Sequence, residues 1–100
     1  MINIEIINNK TIKVKGHAEY AEYGQDIVCA SVSTAVYMSI NQIEVFDKLD
    51  CIKTIVKEGN ACIEVVSEDE IVSKVISNLI FTLRDLELQY PKYIKIKEKI

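Results

Sequence analysis

Apolar and polar residues alternate along the first sixteen positions of the chain. Isoleucine occupies the second, fourth and sixth positions, the triplet Asn-Asn-Lys follows, and Ile12 and Val14 resume the alternation. A period of two is typical of strands with one buried face. The pattern therefore predicts an initial β-hairpin, followed by an aperiodic loop over residues 17–25.

The period changes after Asp26, where apolar residues begin to recur every three or four positions. This spacing predicts one buried face of a helix that runs to about Asp47. Asp26 is a good N-cap residue and Gln25 is the alternative. The residues predicted to face the core are Val28, Val32, Val36 (with Ala35), Ser39, Ile43 and Phe46.

A second hairpin is predicted where CIKTIVKE and ACIEVVS flank Gly59 and Asn60. This pair suits the positive φ angles of a tight turn. With these two residues as the centre of the turn, Ile63 pairs with Val56 across the hairpin.

Residues 68–90 return to helical spacing, and Ser67 is the candidate cap. Pro91 ends this helix, and residues 93–97 alternate as a last strand. The element order is ββαββαβ. We expect an α+β fold in one domain, residues 1–100, as a two-layer sandwich with two helices on one face of a largely antiparallel sheet.

The composition indicates a soluble globular protein, because 49% of the residues are hydrophobic and 27% are charged. No apolar run approaches the roughly 18 residues that span a bilayer. The first ten residues also lack the basic and apolar regions of a signal peptide. We therefore expect a cytoplasmic protein with no membrane partner.

The net charge of −3 argues against nucleic acid as a partner, because phosphate binding requires clustered Lys and Arg. Basic residues cluster along the sequence only in KYIKIKEKI, at the C-terminus, in the pattern of a strand's exposed face. An acidic surface instead favours a basic partner.

Three cysteines, Cys29, Cys51 and Cys62, cannot all pair within one chain, and a cytoplasmic setting keeps them reduced. In the predicted hairpin Cys51 and Cys62 lie about 20 Å apart, too far for a disulfide. The one histidine and these scattered thiols lack the spacing of a zinc site. We expect no metal and no cofactor.

Cys29 falls in the first turn of the predicted long helix if Asp26 is its cap. Unpaired backbone amides and the helix dipole stabilise an anion there, which favours the reactive thiolate. The same amides can donate to an oxyanion during acyl transfer. The simpler interpretation is that Cys29 is a small buried hydrophobe.

His17 lies where the second strand ends, after Gly16, which permits a turn that other residues resist. The following loop is long enough to bring His17 to Cys29, where an imidazole can act as general base and acid. Ser33 lies one helical turn beyond Cys29 on the same face. Taken alone, a histidine at a strand end is usually a polar surface residue, and a serine such as Ser33 is most often a small packing residue.

The combined string Gly16-His17-Ala18, then Gly24-x-Asp26-Ile-Val-Cys29-Ala and Ser33, resembles the bacterial ribosomal-processing cysteine protease family. The resemblance covers essentially the whole chain. It implies a small cytoplasmic α+β protein, generally a homodimer, that removes a short N-terminal extension from large-subunit ribosomal protein twenty-seven during ribosome assembly.

The resemblance also implies roles for particular residues. The family's catalytic histidine matches His17 and its nucleophile matches Cys29. Gly16, Gly24, Asp26 and Ser33 remain supporting residues, and no third catalytic residue is assigned. Glu19 and Glu22 place acidic charge on the loop, which suits a basic ribosomal protein substrate.

Two other functions are compatible with the pattern. A non-enzymatic module that binds a ribosomal protein or an assembly factor would use the loop as a clamp and would not need the thiol. A redox sensor would need a reactive Cys29 without His17, but no resolving cysteine lies nearby in sequence.

Overall fold

The computed structural model describes residues 1–22 and 26–100 and confirms the ββαββαβ order. Backbone hydrogen bonding defines the elements as β1 (Ile2–Ile7), β2 (Thr11–Lys15), α1 (Ile27–Val45), β3 (Ile52–Lys57), β4 (Asn60–Val65), α2 (Glu70–Gln89) and β5 (Ile94–Lys99).

The five strands form one sheet in the order β3-β4-β2-β1-β5. All neighbours are antiparallel except β1 and β5, which are parallel. Alternate residues on the strands pack against the two helices, so one face of the sheet is covered and the other is open. The predicted α+β sandwich with a largely antiparallel sheet is therefore confirmed.

The core lies between the covered face of the sheet and the two helices. Its fully buried side chains include three alternating isoleucines of β1 and the inner faces of both helices. Phe46, predicted to be buried, is 46% exposed because the helix ends before it. Among residues 1–22 and 26–100, no helix combines the length and apolarity needed to cross a membrane.

Each helix begins at an aspartate. Asp26 caps α1 as predicted, accepting hydrogen bonds from the second and third helical amides. Asp69 caps α2 in the same way, so the prediction of Ser67 was wrong by two positions. Both Ser and Asp are good caps, and only Asp69 lies next to the first helical residue. Helix α1 ends at Val45, and Asp47 already has a φ of 57°.

The register predicted for the second hairpin was wrong by two residues. The central turn residues are Glu58 and Gly59, so Lys57 pairs with Asn60 and Val56 pairs with Ala61. Gly59 alone has a positive φ, 71°, and Asn60 already belongs to β4. A shift of two residues leaves every side chain on its predicted face, so the predicted core was unaffected.

The structure also places the second and third cysteines differently from the prediction. Cys51 lies in a short 3₁₀ turn before β3 rather than on the strand. Cys62 pairs with Ile55, which lies four positions after Cys51 in the sequence. All three cysteines are free in the structure.

The helices do not cover the edge strand β3 fully. On the face that points towards the helix layer, Thr54 is exposed and Val56 is only half-buried. A sheet edge whose inner face lacks a helix leaves a groove between the hairpin β3–β4 and the nearest helix. That helix is α1, which carries Cys29.

Candidate active site

The groove between α1 and the β3–β4 hairpin contains a cavity of about 760 Å³. One wall is the N-terminal half of α1, and the other is the hairpin around Gly59. The end of β2 closes the groove from below. This volume lies within the range of ligand-binding clefts. The predicted site residues that line it are Gly16, His17, Glu19, Asp26, Cys29 and Ser33.

The loop after β2 folds back onto the start of α1. The backbone N–H of Ala18 donates a hydrogen bond to the Cys29 sulfur over 3.1 Å, and Ala18 is only 2% exposed. This contact joins the residue after His17 to the thiol eleven positions later. A backbone amide directed at sulfur stabilises negative charge there. The predicted meeting of loop and helix is therefore present.

Asp26 holds both the helix and the loop. Its Oδ1 accepts from the amides of Val28 and Cys29, each over 3.0 Å, and its Oδ2 accepts from the amide of Tyr20 over 2.9 Å. Burial raises the pKa of this carboxyl. The amides of Cys29, Tyr20, Ala21 and Val28 outweigh that effect, and its pKa is lowered overall. Asp26 is thus a charged clamp at neutral pH.

This clamp limits one role expected of the helix. The amides of Val28 and Cys29 donate to the Asp26 carboxylate, so they are not available to an oxyanion while the cap is in place. The N–H that donates to the sulfur is instead that of Ala18, from the loop.

The His17 imidazole lies against the turn of the second hairpin. A Cβ on Gly59 would be 2.9 Å from its Nε2 atom, closer than such contacts occur in proteins. The Gly16 N–H also donates to the Gly59 carbonyl over 3.0 Å. Gly16 has a φ of 97°, and a Cβ there would overlap the Met1 carbonyl. Both glycines therefore bring the histidine to the hairpin.

The thiol and the imidazole share the cavity without a direct bond. Within residues 1–22 and 26–100, no hydrogen bond joins His17 to the sulfur of Cys29, and the histidine is exposed. Catalytic hydrogen bonds are often long before a substrate binds.

The remaining predicted residues divide into three groups. Ser33 lies exposed on the cavity wall one turn beyond Cys29, and Glu19 lines the cavity with a φ of 58°. Glu22 is exposed and is not among the lining residues. Gly24 lies outside the described residues.

Sequence reasoning missed the roles of Ala18 and Gly59 in this site. The backbone N–H of Ala18 donates a hydrogen bond to the Cys29 sulfur, and Gly59 lies against the His17 imidazole. Tyr20 anchors the loop by edge-to-face contacts with Tyr90 and Tyr93, at centroid distances of 5.9 and 5.1 Å. Only Gly59 had a visible signal, as a turn glycine, and nothing in sequence placed it near position 17.

The other two thiols lie away from the cavity. Cys51 is buried, and Cys62 lies on the open face of the sheet, where burial raises the pKa of its thiol. Over the described part of the chain, no three His, Cys, Asp or Glu side chains are grouped closely enough to hold a metal ion.

A thiol at a helix start and an imidazole on a facing loop, both lining one groove, define the site class of the cysteine hydrolases. The family model described as cysteine protease Prp matches residues 1–95. The chain therefore belongs to the Prp family of cysteine proteases.

Individual relatives agree with this assignment. The chain is 30% identical to the ribosomal processing cysteine protease Prp of Mycoplasma genitalium over 99% of its own length and 97% of the relative's. The Prp of Staphylococcus aureus strain Mu50 is 44% identical, but over 48 residues that span 45% of its length. The chain is thus matched to less than half the length of that relative.

A solved structure resembles the whole chain. The Prp protease of S. aureus, crystallised with a covalently linked product peptide, superposes with a TM-score of 0.86 at 26% identity. The superposition covers 99% of this chain and 100% of that one.

Proposed function

We propose that this protein is a cysteine endopeptidase that removes the N-terminal extension of large-subunit ribosomal protein twenty-seven during ribosome assembly in the bacterial cytoplasm. The observation that carries the proposal is the hydrogen bond from Ala18 to the Cys29 sulfur, which brings the loop bearing His17 to the thiol inside a peptide-sized groove. Family membership and the peptide-bound S. aureus structure support it.

The proposed reaction begins with attack of the Cys29 thiolate on the scissile carbonyl. The carbon–sulfur bond forms and the carbonyl oxygen takes up negative charge. The tetrahedral intermediate then expels the amine, which takes a proton from His17. Water, deprotonated by His17, next attacks the thioester, releasing the carboxylate product and the free thiol.

The charge at the mouth of the groove suits a basic substrate. Three carboxyl groups, those of Glu19, Asp26 and Glu58, line the cavity, and Lys57 is the one described lysine or arginine among the lining residues. An acidic mouth attracts cationic chains and raises their encounter rate. This supports a ribosomal protein as the substrate.

Homodimer formation is part of the proposal. The outer faces of the two helices expose large apolar residues, including Met38 at 69%, Phe81 at 72% and Leu88 at 80%. A protein interface would bury such exposed apolar side chains. We expect the mass in solution, measured by light scattering, to be twice that of the chain, and Met38→Glu with Phe81→Glu to restore a monomer.

The function is tested by mixing the purified protein with the ribosomal protein that carries its extension and following both masses by spectrometry. We expect loss of a short N-terminal peptide with the wild type and none with Cys29→Ala or His17→Ala. Cys62→Ala is the matched control, because it removes a thiol outside the groove.

The alternative, a non-enzymatic module that binds a ribosomal protein or an assembly factor, predicts a different result. It requires a stable complex from wild type and Cys29→Ala alike, with no cleavage by either. Cleavage by Cys29→Ala at the wild-type rate would contradict the mechanism, because no other described thiol lines the groove.

A further inference from the structure

The open face of the sheet, which points away from both helices, carries most of the chain's positive charge. Its members follow from the strand register, because residues alternate between the two faces. Seven of them are lysines: Lys13, Lys15, Lys53, Lys57, Lys95, Lys97 and Lys99.

This face reverses the sign of the protein's charge. It holds seven of the twelve Lys and Arg but only two of the fifteen Asp and Glu, so its formal charge is +5. The five cations and thirteen acids elsewhere give −8. The net charge of −3 is therefore the sum of two regions of opposite sign. The sequence-based argument against nucleic acid does not apply to this face.

The lysines come from three strands, β2, β3 and β5, that are distant in sequence. In one row across the sheet, Lys57, Lys15 and Lys95 alternate with Asn60 and Asn3, and none of the five is acidic. Lysines in one row are two strands apart, about 10 Å, and those along a strand are about 7 Å apart.

The two acidic residues on this face do not cancel its field. Glu5 pairs with Lys99 over 3.1 Å. The pKa of Glu5 is lowered, first by its hydrogen bond with Lys99, and also by the charges of Lys13 and Lys15. The lysines lie about 7 to 10 Å apart, within about one Debye length at 0.1 M salt, so their positive charges repel one another. A bound polyanion would relieve that repulsion.

The rest of the face indicates the kind of polyanion. Of the described residues on the open face, none is aromatic, and the apolar ones are Ile7, Ile55 and Cys62. A single strand is usually held by base stacking on aromatic rings, and protein interfaces usually have an apolar centre. A face of lysines with neither matches the phosphate backbone of a duplex.

We propose that the open face of the sheet binds the phosphate backbone of double-stranded RNA, independently of base sequence. The choice of RNA over DNA rests on the proposed function, which places the protein beside ribosomal components, whereas the charge argument does not. The groove with Cys29 lies on the covered side, so RNA and a peptide can be bound together. Lys57, at the hairpin tip, borders both surfaces.

The test measures binding of the full protein to a fluorescent RNA duplex of about 20 base pairs by anisotropy, across a KCl series. We expect a dissociation constant of about 1–100 µM near 0.1 M KCl, weakening with salt at a logarithmic slope of about −3 to −5. Lys13→Gln, Lys95→Gln and Lys97→Gln combined should weaken binding at least about tenfold and reduce the slope by about 2–3.

The matched control removes the same charge elsewhere. Lys74→Gln, Arg84→Gln and Lys92→Gln combined lie outside the open face and should change the RNA dissociation constant less than about threefold. Equal weakening by both triple variants would overturn the proposal, as would a salt-independent constant. Tighter binding of poly-aspartate or of phosphatidylglycerol vesicles than of RNA would assign the face to an acidic protein or a membrane.

A last measurement separates this surface from the protease. Cleavage of a short peptide substrate by the open-face triple variant should remain within twofold of wild type, because none of its three lysines lines the groove. Loss of RNA binding with retained cleavage supports the proposal. If the wild type binds RNA but does not cleave, the proposed function fails and the RNA surface stands.

Discussion

The chain contains two ββα units with the same local plan, followed by β5. In each, a hairpin leads to a helix capped by an aspartate whose Oδ1 accepts the second and third helical amides. The two units differ in the partner of the second carboxylate oxygen, Oδ2. Oδ2 of Asp26 accepts from the loop amide of Tyr20, whereas Oδ2 of Asp69 pairs with Lys48 Nζ over 2.8 Å. One cap therefore organises a loop and the other an ion pair.

The units also differ at the third helical residue and in the connection before the helix. Cys29 lines the groove, while its counterpart Val72 is fully buried. The first unit inserts residues 16–26 between strand and helix, and the second crosses with residues 66–69. The site thus arises from a longer connection on a common scaffold, with the second unit's hairpin as its opposite wall.

Substitutions in the two hairpin turns should differ most in their effect on kcat/KM. Gly59→Ala should lower kcat/KM for peptide cleavage about 100-fold, because a Cβ 2.9 Å from Nε2 displaces the imidazole. Asn8→Ala is the matched control, since Asn8 also has a positive φ, 54°, but lies in the other turn. Cleavage by both variants within twofold of wild type would show that the histidine does not depend on Gly59.

Replacing the third residue of each helix should separate packing from chemistry. Val72→Ala should lower the free energy of unfolding by about 2 kcal/mol, from lost methyl groups and the cavity left behind. Cys29→Ala should cost less than about 1 kcal/mol, because its site is already a groove. Urea denaturation measures both. Equal costs would favour the interpretation of Cys29 as an ordinary core residue.

Replacing each cap aspartate by asparagine should show which of the two sites needs its second carboxylate oxygen for catalysis. Asparagine still caps a helix, but its amide nitrogen cannot accept the Tyr20 N–H. Asp26→Asn should therefore lower kcat/KM about tenfold by loosening the loop. Asp69→Asn should leave kcat/KM within twofold. A reversed order would mean that the loop is held without Asp26.

The smallest effect should be on acid stability. The pKa of Asp69 is lowered, first by its hydrogen bond with Lys48 and next by the amide of Val72. The resulting stability is present above the ordinary value of 3.8 and lost as the pH falls through the folded-state value. The melting temperature of wild type should exceed that of Asp69→Asn at pH 7, and the gap should narrow as the pH falls below 3.8.

The stability that this ion pair contributes is also lost at high pH. The pKa of Lys48 is raised above 10.5, first by its hydrogen bond with Asp69, so its contribution is present below that value and lost as the pH rises through the folded-state value. A constant gap between wild type and Asp69→Asn from pH 3 to 11 would show that this pair adds no stability.

Local sequence was sufficient for most of the fold and for half of the site. The periods of two and 3.6 predicted all seven main elements, and Asp26 was identified as a cap from its position alone. The motif placed His17 and Cys29 at the ends of adjacent elements. These features depend on residues within about four positions of one another, where backbone geometry dictates which side chains meet.

The tertiary structure decided what no local pattern contains. Gly59 lies against the His17 imidazole because the second hairpin meets the loop after β2. The Ala18 N–H reaches the Cys29 sulfur because the same loop folds back onto α1. In the same way, lysines of β2, β3 and β5 that look scattered in sequence gather on one face once the five strands take their order and register. Sequence fixes the residues of each strand, whereas the neighbours of a strand follow from long-range packing.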